Sequence, residues 1–205
     1  MRKKSHISLA KLLLNNMKVK DLSDHKNAFY LGSILPDLKP SFLTKKHNIN
    51  ETFDILINEI KRITVDYDVN KGINGYYARH LGVVTHYLAD YCTFPHNTSF
   101  TGSISEHIYY EKELKKLLRT YVRLDAAKEN REEPGESRSL EDIEQFIRNT
   151  HADYLKAWKA VKVDINYIMY LCHKVVDAIL SFFELAFNPS DNEDDQRLHM
   201  EYIQS

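Results

Sequence analysis

Two cysteines in 205 residues, Cys92 and Cys172, leave no disulfide framework and no Cys-x-x-Cys metal or redox motif. Both read as small buried apolar residues. Six glycines and five prolines are few for this length, so turns are scarce and long regular elements are expected. Charge is nearly balanced, with a net charge of −1, and this removes the basic footprint that nucleic-acid binding normally leaves. An uninterrupted apolar run is missing too. The most apolar stretch, Ile165 to Phe187, has spanning length but carries His173, Lys174, Asp177 and Glu184, which would be costly in lipid. The N-terminus is basic, as secretory signals are, but Lys11 breaks its apolar run and no small-residue cleavage site follows. It reads as a helix, and a cytoplasmic location is expected.

What is present is helical periodicity almost throughout. The pattern predicts helices near 5–17, 24–35, 50–65, 75–93, 103–122, 139–161 and 164–187, an all-α, single-domain bundle of about seven helices. Pro36 disfavours helical geometry at Leu35, Ser103 with Glu106 forms an S-x-x-E capping box, and Asn188 with Pro189 closes the last helix. Residues 126–139 are charged, contain Pro-Gly and show no apolar period, so they read as an exposed connection. The helical domain is placed at 1–187 and an acidic, loosely held tail at 188–205.

Ten histidines are many for this length. In "THYLADYCTFPH", Thr85 to His96, no Lys, Glu or Arg accompanies His86, Asp90 and His96. On a helix His86 and Asp90 share a face with Gly82, Val83 and Ala89, while Tyr77, Leu81, Val84, Leu88 and Tyr91 form an apolar stripe opposite. Both faces look buried, so Asp90 requires a cation, a donor or a metal. The fifth helix repeats the arrangement, with Ile104, His107, Glu111, Leu114 and Leu118 in one inward stripe. His6 shares a face with Leu9 and Leu13, and Asp37 and His47 flank a Pro-rich connection. A single core histidine is usually a hydrogen-bonded structural residue. Several imidazoles and carboxylates converging on one core instead match the ligand chemistry of zinc, and imply a metal cleft.

The spacing H-x-x-x-D-x-x-x-x-x-H at His86, Asp90 and His96, then H-x-x-x-E at His107 and Glu111, resembles the zinc-dependent phospholipase C family, related to S1/P1-type nucleases. "FYLGSILPD" ending at Asp37, then His47, and His6 near the start, match the remaining ligand positions in order. The resemblance implies two or three zinc ions: one on Asp37, His47, His86 and Asp90, a second on His96, His107 and Glu111, and a third on His6 with Asp90 shared. It further implies hydrolysis of phospholipid head groups or other phosphodiesters by a metal-activated water, with Asp37 placed to orient that water or take its proton. Secreted relatives complete the third site with the amine of an N-terminal Trp, whereas this chain has Met1. Leu38 stands where members preferring choline lipids carry an aromatic residue, with Phe42 nearby, so the resemblance does not by itself imply choline specificity.

Other readings are a non-catalytic zinc-binding homologue and a nuclease acting on single strands, the latter disfavoured by the neutral charge balance. No His is followed by Asp and no E-x-x-H occurs, which removes HD-type phosphohydrolases and di-iron bundles. Membrane contact is expected to be transient and peripheral. His25, His80, His151, His173 and His199 are expected at the surface or in ordinary hydrogen bonds, and Lys39, Lys45 and Lys46 in a solvated loop able to attract phosphate. The sequence gives no oligomeric state.

Overall fold

The computed structural model describes residues 1–17, 19–38, 47–125 and 139–187. Among them are eight helices and no strand: α1 (Lys3–Met17), α2 (Lys20–Asp24), α3 (Lys26–Ile34), α4 (Ile49–Lys61), α5 (Gly75–Tyr91), α6 (Ile104–Asp125), α7 (Leu140–Lys156) and α8 (Val161–Phe187). Short 3-10 turns lie at Pro36–Leu38, Val69–Lys71 and Phe94–His96. No helix of the described residues is long and apolar enough to cross a membrane. The tail at 188–205 with Asn188, Pro189 and His199, the connection at 126–138, and loop residues Lys39, Lys45 and Lys46 fall outside the described residues.

The all-α reading holds, with three adjustments. Helix α2 spans five residues, too few to display a 3.6-residue period, and so escapes detection by pattern. The sixth predicted helix stops at Lys156 because Ala157 is extended, with φ −70° and ψ 162°, and α8 begins at Val161 instead of 164. Helix α3 does end before Pro36, yet Leu35 keeps helical angles, φ −60° and ψ −40°. The chain tightens there into a 3-10 turn that accepts Pro36 at its first position, so the expected extended geometry at Leu35 is not adopted.

Caps set several of the boundaries. Ser103 and Glu106 bond reciprocally at the start of α6, as expected, with Glu106 N–H donating to Ser103 Oγ at 3.3 Å and Ser103 N–H to Glu106 Oε2 at 2.6 Å. Ser139 and Asp142 form a second capping box at α7. Asn48 and Asn74 cap α4 and α5 through their side-chain oxygens.

Helix α5 is the buried centre, packed by α1, α3, α4 and α8. Its stripe Tyr77, Leu81, Val84, Leu88 and Tyr91 is fully buried. Its other face meets α3 backbone to backbone: a Cβ on Gly82 would collide with the Phe29 carbonyl, and one on Gly32 with the Arg79 carbonyl. Only glycine permits that approach. Both cysteines are buried and free, as expected.

Candidate metal centre

The α3–α5 contact places the Ser33 carbonyl 2.9 Å from His86 Nδ1. Nδ1–H donates to it, so the proton sits there and the Nε2 lone pair faces inward. One turn on, Asp90 projects from the same face, and both side chains are fully buried. His47 directly precedes the cap of α4, and Asp37 lies in the 3-10 turn that follows α3. Two connections therefore bring their ligand-type side chains onto one face of α5.

Four donor atoms converge there: Asp37 Oδ1, His47 Nδ1, His86 Nε2 and Asp90 Oδ2. His47 and His86 nitrogens are 3.0 Å apart, each lies 3.7 Å from Asp37, and they lie 3.2 and 3.3 Å from Asp90. A tetrahedral zinc with bonds of about 2.0–2.1 Å requires ligand atoms about 3.3–3.4 Å apart. Five of the six separations are thus near such edges; ligand atoms of His47, His86 and Asp90 lie within 4.8 Å of one another, as do those of His6, Asp37 and His86. Burial raises the Asp37 carboxyl above its ordinary value, against the pull of His86. Burial would raise Asp90 as well, but His96, the terminal amine, His6 and His86 outweigh it and hold this carboxylate well below the usual range.

The other carboxylate oxygen of Asp90 points to a second environment. His6 Nε2 is 3.4 Å from Asp90 Oδ1, and the His6 ring stacks on His86 with centroids 4.0 Å apart. Neither His6 nitrogen has a hydrogen-bond partner, although both are buried, which is costly for a polar group without an ion or donor. Burial first, and then His86, lower the His6 pKa and keep its ring neutral. The amine of Met1 pairs with Asp90 Oδ1 and lies 2.9 Å from His96 Nε2.

His96 sits in the Phe94–His96 turn, off the end of α5, while His107 and Glu111 are one turn apart on α6. Glu111 Oε1 is 3.4 Å from His107 Nε2 and 3.9 Å from His96 Nε2, and ligand atoms of these three residues lie within 4.8 Å of one another. His96 Nδ1 is 3.5 Å from Asp90 Oδ2, which joins this group to the first. Arg2 Nε donates to Glu111 Oε2 at 2.8 Å. Burial opposes ionisation of Glu111, but His96, the Met1 amine and Arg2 bring its pKa down to about 2. One expectation fails here. Ile104 is 82% exposed and the His107 side chain 36%, so the first turn of α6 is not inward-facing. Helix α6 packs on α1 and α8, and its buried stripe runs through Glu111, Leu114 and Leu118.

All eight residues singled out by pattern are thus brought into one connected cluster. Of the histidines set aside, three have partners elsewhere: His80 pairs with Glu59, His151 with Asn97, and His173 Nε2 lies 3.5 Å from the Asn16 amide. Pattern reading missed Ser33 and Asp164. Asp164 Oδ2 accepts the Phe94 N–H at 2.8 Å and so anchors the turn that carries His96. Burial, only partly offset by that bond, raises the Asp164 pKa to about 7, and its Oδ1 has no partner. A carboxylate among the apolar residues opening α8 was its one sequence signal. A cleft of about 300 Å3, lined by Pro95, His96, Phe100 and His107, opens beside the centre.

The sequence model of the family described as zinc dependent phospholipase C matches residues 5–161, more than half of the chain and the span within which these eight residues lie. No curated protein and no solved structure matches the chain.

Proposed function

Because the chain belongs to the zinc-dependent phospholipase C family, we propose that it hydrolyses phosphodiesters of the phospholipid head-group class at this cluster. The observation that carries the reading is the convergence of Asp37, His47, His86 and Asp90, whose donor atoms lie 3.0 to 3.7 Å apart in five of their six pairs, near the edges of a zinc tetrahedron. We assign these four to a first zinc, His96, His107 and Glu111 to a second, and His6 with the shared Asp90 to a third. Zinc bound there supplies Lewis acidity toward phosphoryl oxygens and makes a water nucleophile available near neutral pH.

The chain's own residues hold and prepare this arrangement. Ser33 fixes the His86 tautomer, and Asp90 spends one oxygen on each side of the cluster. Asp37, at the edge of the first zinc set, would orient the attacking water and take its proton as the new P–O bond forms, and that proton would pass to the alcohol oxygen as its bond to phosphorus breaks. The lipid approaches from a membrane surface that the protein touches transiently, no helix among the described residues being long and apolar enough to cross it.

The test is zinc content per chain, with hydrolysis of a chromogenic phosphodiester without a choline head compared between the native chain and Asp37→Asn. Two or three zincs are expected, with turnover lowered by about 10²-fold or more in the variant. Fewer than two zincs would sink the multinuclear assignment. A second reading is a homologue that keeps metal for stability alone. Zinc without hydrolysis of lipid or single-stranded nucleic acid would select it.

A further inference from the structure

Helix α6 buries one side, through Glu111, Leu114 and Leu118, against α1 and α8. At about 100° per residue, Ile104, Ile108, Lys112, Lys115, Lys116 and Arg119 fall on another side, within an arc of about 120°. Lys115 is half-buried and the other five are exposed. The arc is therefore apolar over its first two turns and cationic after them. Glu106 and Glu113 stand outside it, and Glu106 is engaged by the cap with Ser103. Among the described residues, the ion pairs of α6 all fall on Glu111, with Arg2, His96 and His107.

The cations of the arc stand three and four residues apart, a spacing at which like charges destabilise a helix. Crowding continues across the contact with α1, where Lys4 is also exposed. Arg119 foremost, then desolvation and the charges of Lys4 and Arg2, lower the Lys115 pKa. The whole chain carries a net charge of −1, so this surplus is local. At its apolar end the arc adjoins the metal centre, since Ile104 lines the cleft of about 300 Å3 together with His96 and His107.

Cations alone would suit any polyanion, and the exposed isoleucines narrow the choice. Single-stranded nucleic acid is held by aromatic stacking, for which Ile104 and Ile108 are unsuited. Aliphatic side chains beside lysines instead enter the head-group boundary of a membrane while the lysines meet anionic head groups. Tyr109, exposed next to Ile108, has the amphipathic ring that favours that boundary.

We propose that this face of α6, extended by Lys4 of α1, docks the protein on membranes rich in anionic phospholipid, with Ile104 and Ile108 entering the head-group boundary and the cleft at His96 and His107 set against the lipid. This rests on the reading that the adjoining cluster hydrolyses phospholipids. The preference belongs to the surface on which the protein sits and is separate from the head group it cleaves.

Co-sedimentation of the full zinc-loaded chain with vesicles of phosphatidylcholine, and with vesicles of an equimolar mixture with phosphatidylserine, reads docking without requiring turnover. Binding to the anionic vesicles is expected to be at least about tenfold tighter and to weaken as salt is raised. Lys112→Gln with Lys116→Gln is expected to remove about tenfold or more of the anionic-vesicle affinity. Its urea midpoint should stay at or above the native value, because like-charge pairs are relieved, and its hydrolysis of a soluble phosphodiester should stay unchanged. Ile104→Ser is expected to weaken binding to both kinds of vesicle. No binding, equal binding to the two vesicle types, or an anionic preference that the lysine pair leaves intact would overturn the proposal. Binding of a single-stranded oligonucleotide that the same variant loses, with no anionic-vesicle preference, would overturn it in favour of a nucleic-acid surface. Anionic docking without hydrolysis would support the face and count against the enzymatic reading alone.

Discussion

His86 and Ser33 are joined by a hydrogen bond that no side-chain substitution at Ser33 can remove, because it runs from the imidazole Nδ1–H to the backbone carbonyl, 2.9 Å away. Gly82, one turn before His86, makes that contact possible by letting α3 and α5 touch. Gly82→Ala forces the two helices apart, with an expected cost of about 1–3 kcal/mol. The same shift frees the His86 ring, and the loss of an outer-shell bond of this kind lowers metal affinity about 10- to 100-fold. Gly75→Ala is the control, since a Cβ there meets nothing nearer than 3.9 Å. Urea unfolding and zinc titration of the two variants check this. Equal zinc affinity in both would show that the Ser33 contact is dispensable.

Zinc removal carries a separate prediction through His6, whose two buried nitrogens lack hydrogen-bond partners. In metal-free protein those nitrogens are a liability, so His6→Leu is expected to melt at or above the native chain. With zinc the order reverses, because a ligand is lost. Zinc at about 100 times its Kd stabilises the native chain by about 2.7 kcal/mol, or roughly 5–10 °C for a chain of this size. Melting curves with zinc and with a chelator provide the four values, and unchanged order between the two conditions would remove His6 from the ligand set.

The cluster was legible because its side chains advertise themselves. His86 with Asp90, and His107 with Glu111, stand one helical turn apart, and a His-Asp pair without Lys or Glu neighbours marks a buried polar face whatever the tertiary fold. Its supports were not. Ser33 contributes a carbonyl that every residue possesses, and Gly82 reads only as small until the backbone facing it is known. Asp164 lies far along the chain from the turn it anchors, a pairing that no local period encodes. Ile104 shows the opposite failure. It fits the α6 stripe by spacing, but spacing does not say where along a helix the packing partners begin.

Asp164 gives the fold a pH dependence of known sign. Its folded pKa, raised to about 7, exceeds the value of about 3.9 for an unfolded Asp, so the native state binds the extra proton between those values. The stability it contributes is present at low pH and is lost as pH rises through about 7. Asp164→Asn keeps an oxygen for the Phe94 N–H and cannot ionise. The Tm of the variant minus that of the native chain is therefore expected to grow between about pH 5 and pH 8, with zinc-linked effects common to both cancelling in the difference. A difference flat across that range would mean that Asp164 is ionised throughout.

Trp158, the one tryptophan of the chain, is 83% exposed at the corner between α7 and α8. That corner is tied to the cleft wall. Lys159 Nζ donates to the Leu155 carbonyl at 2.7 Å and lies 5.7 Å from the Phe94 ring, Leu155 lines a cleft of about 440 Å3, and exposed Ile104 lines the adjoining one beside His96 and His107. A large apolar ring left in water beside a cleft proposed to act on lipid suits the membrane interface, where indole is preferentially placed. Because no second tryptophan contributes, its emission reports that placement directly. Phospholipid vesicles are expected to shift Trp158 emission to the blue, and Trp158→Ala to weaken vesicle binding on the order of tenfold. Hydrolysis of a soluble short-chain ester should fall far less than hydrolysis of vesicle lipid, since only the latter requires docking. Emission unmoved at saturating lipid would place the docking face elsewhere, even if the cluster proves hydrolytic.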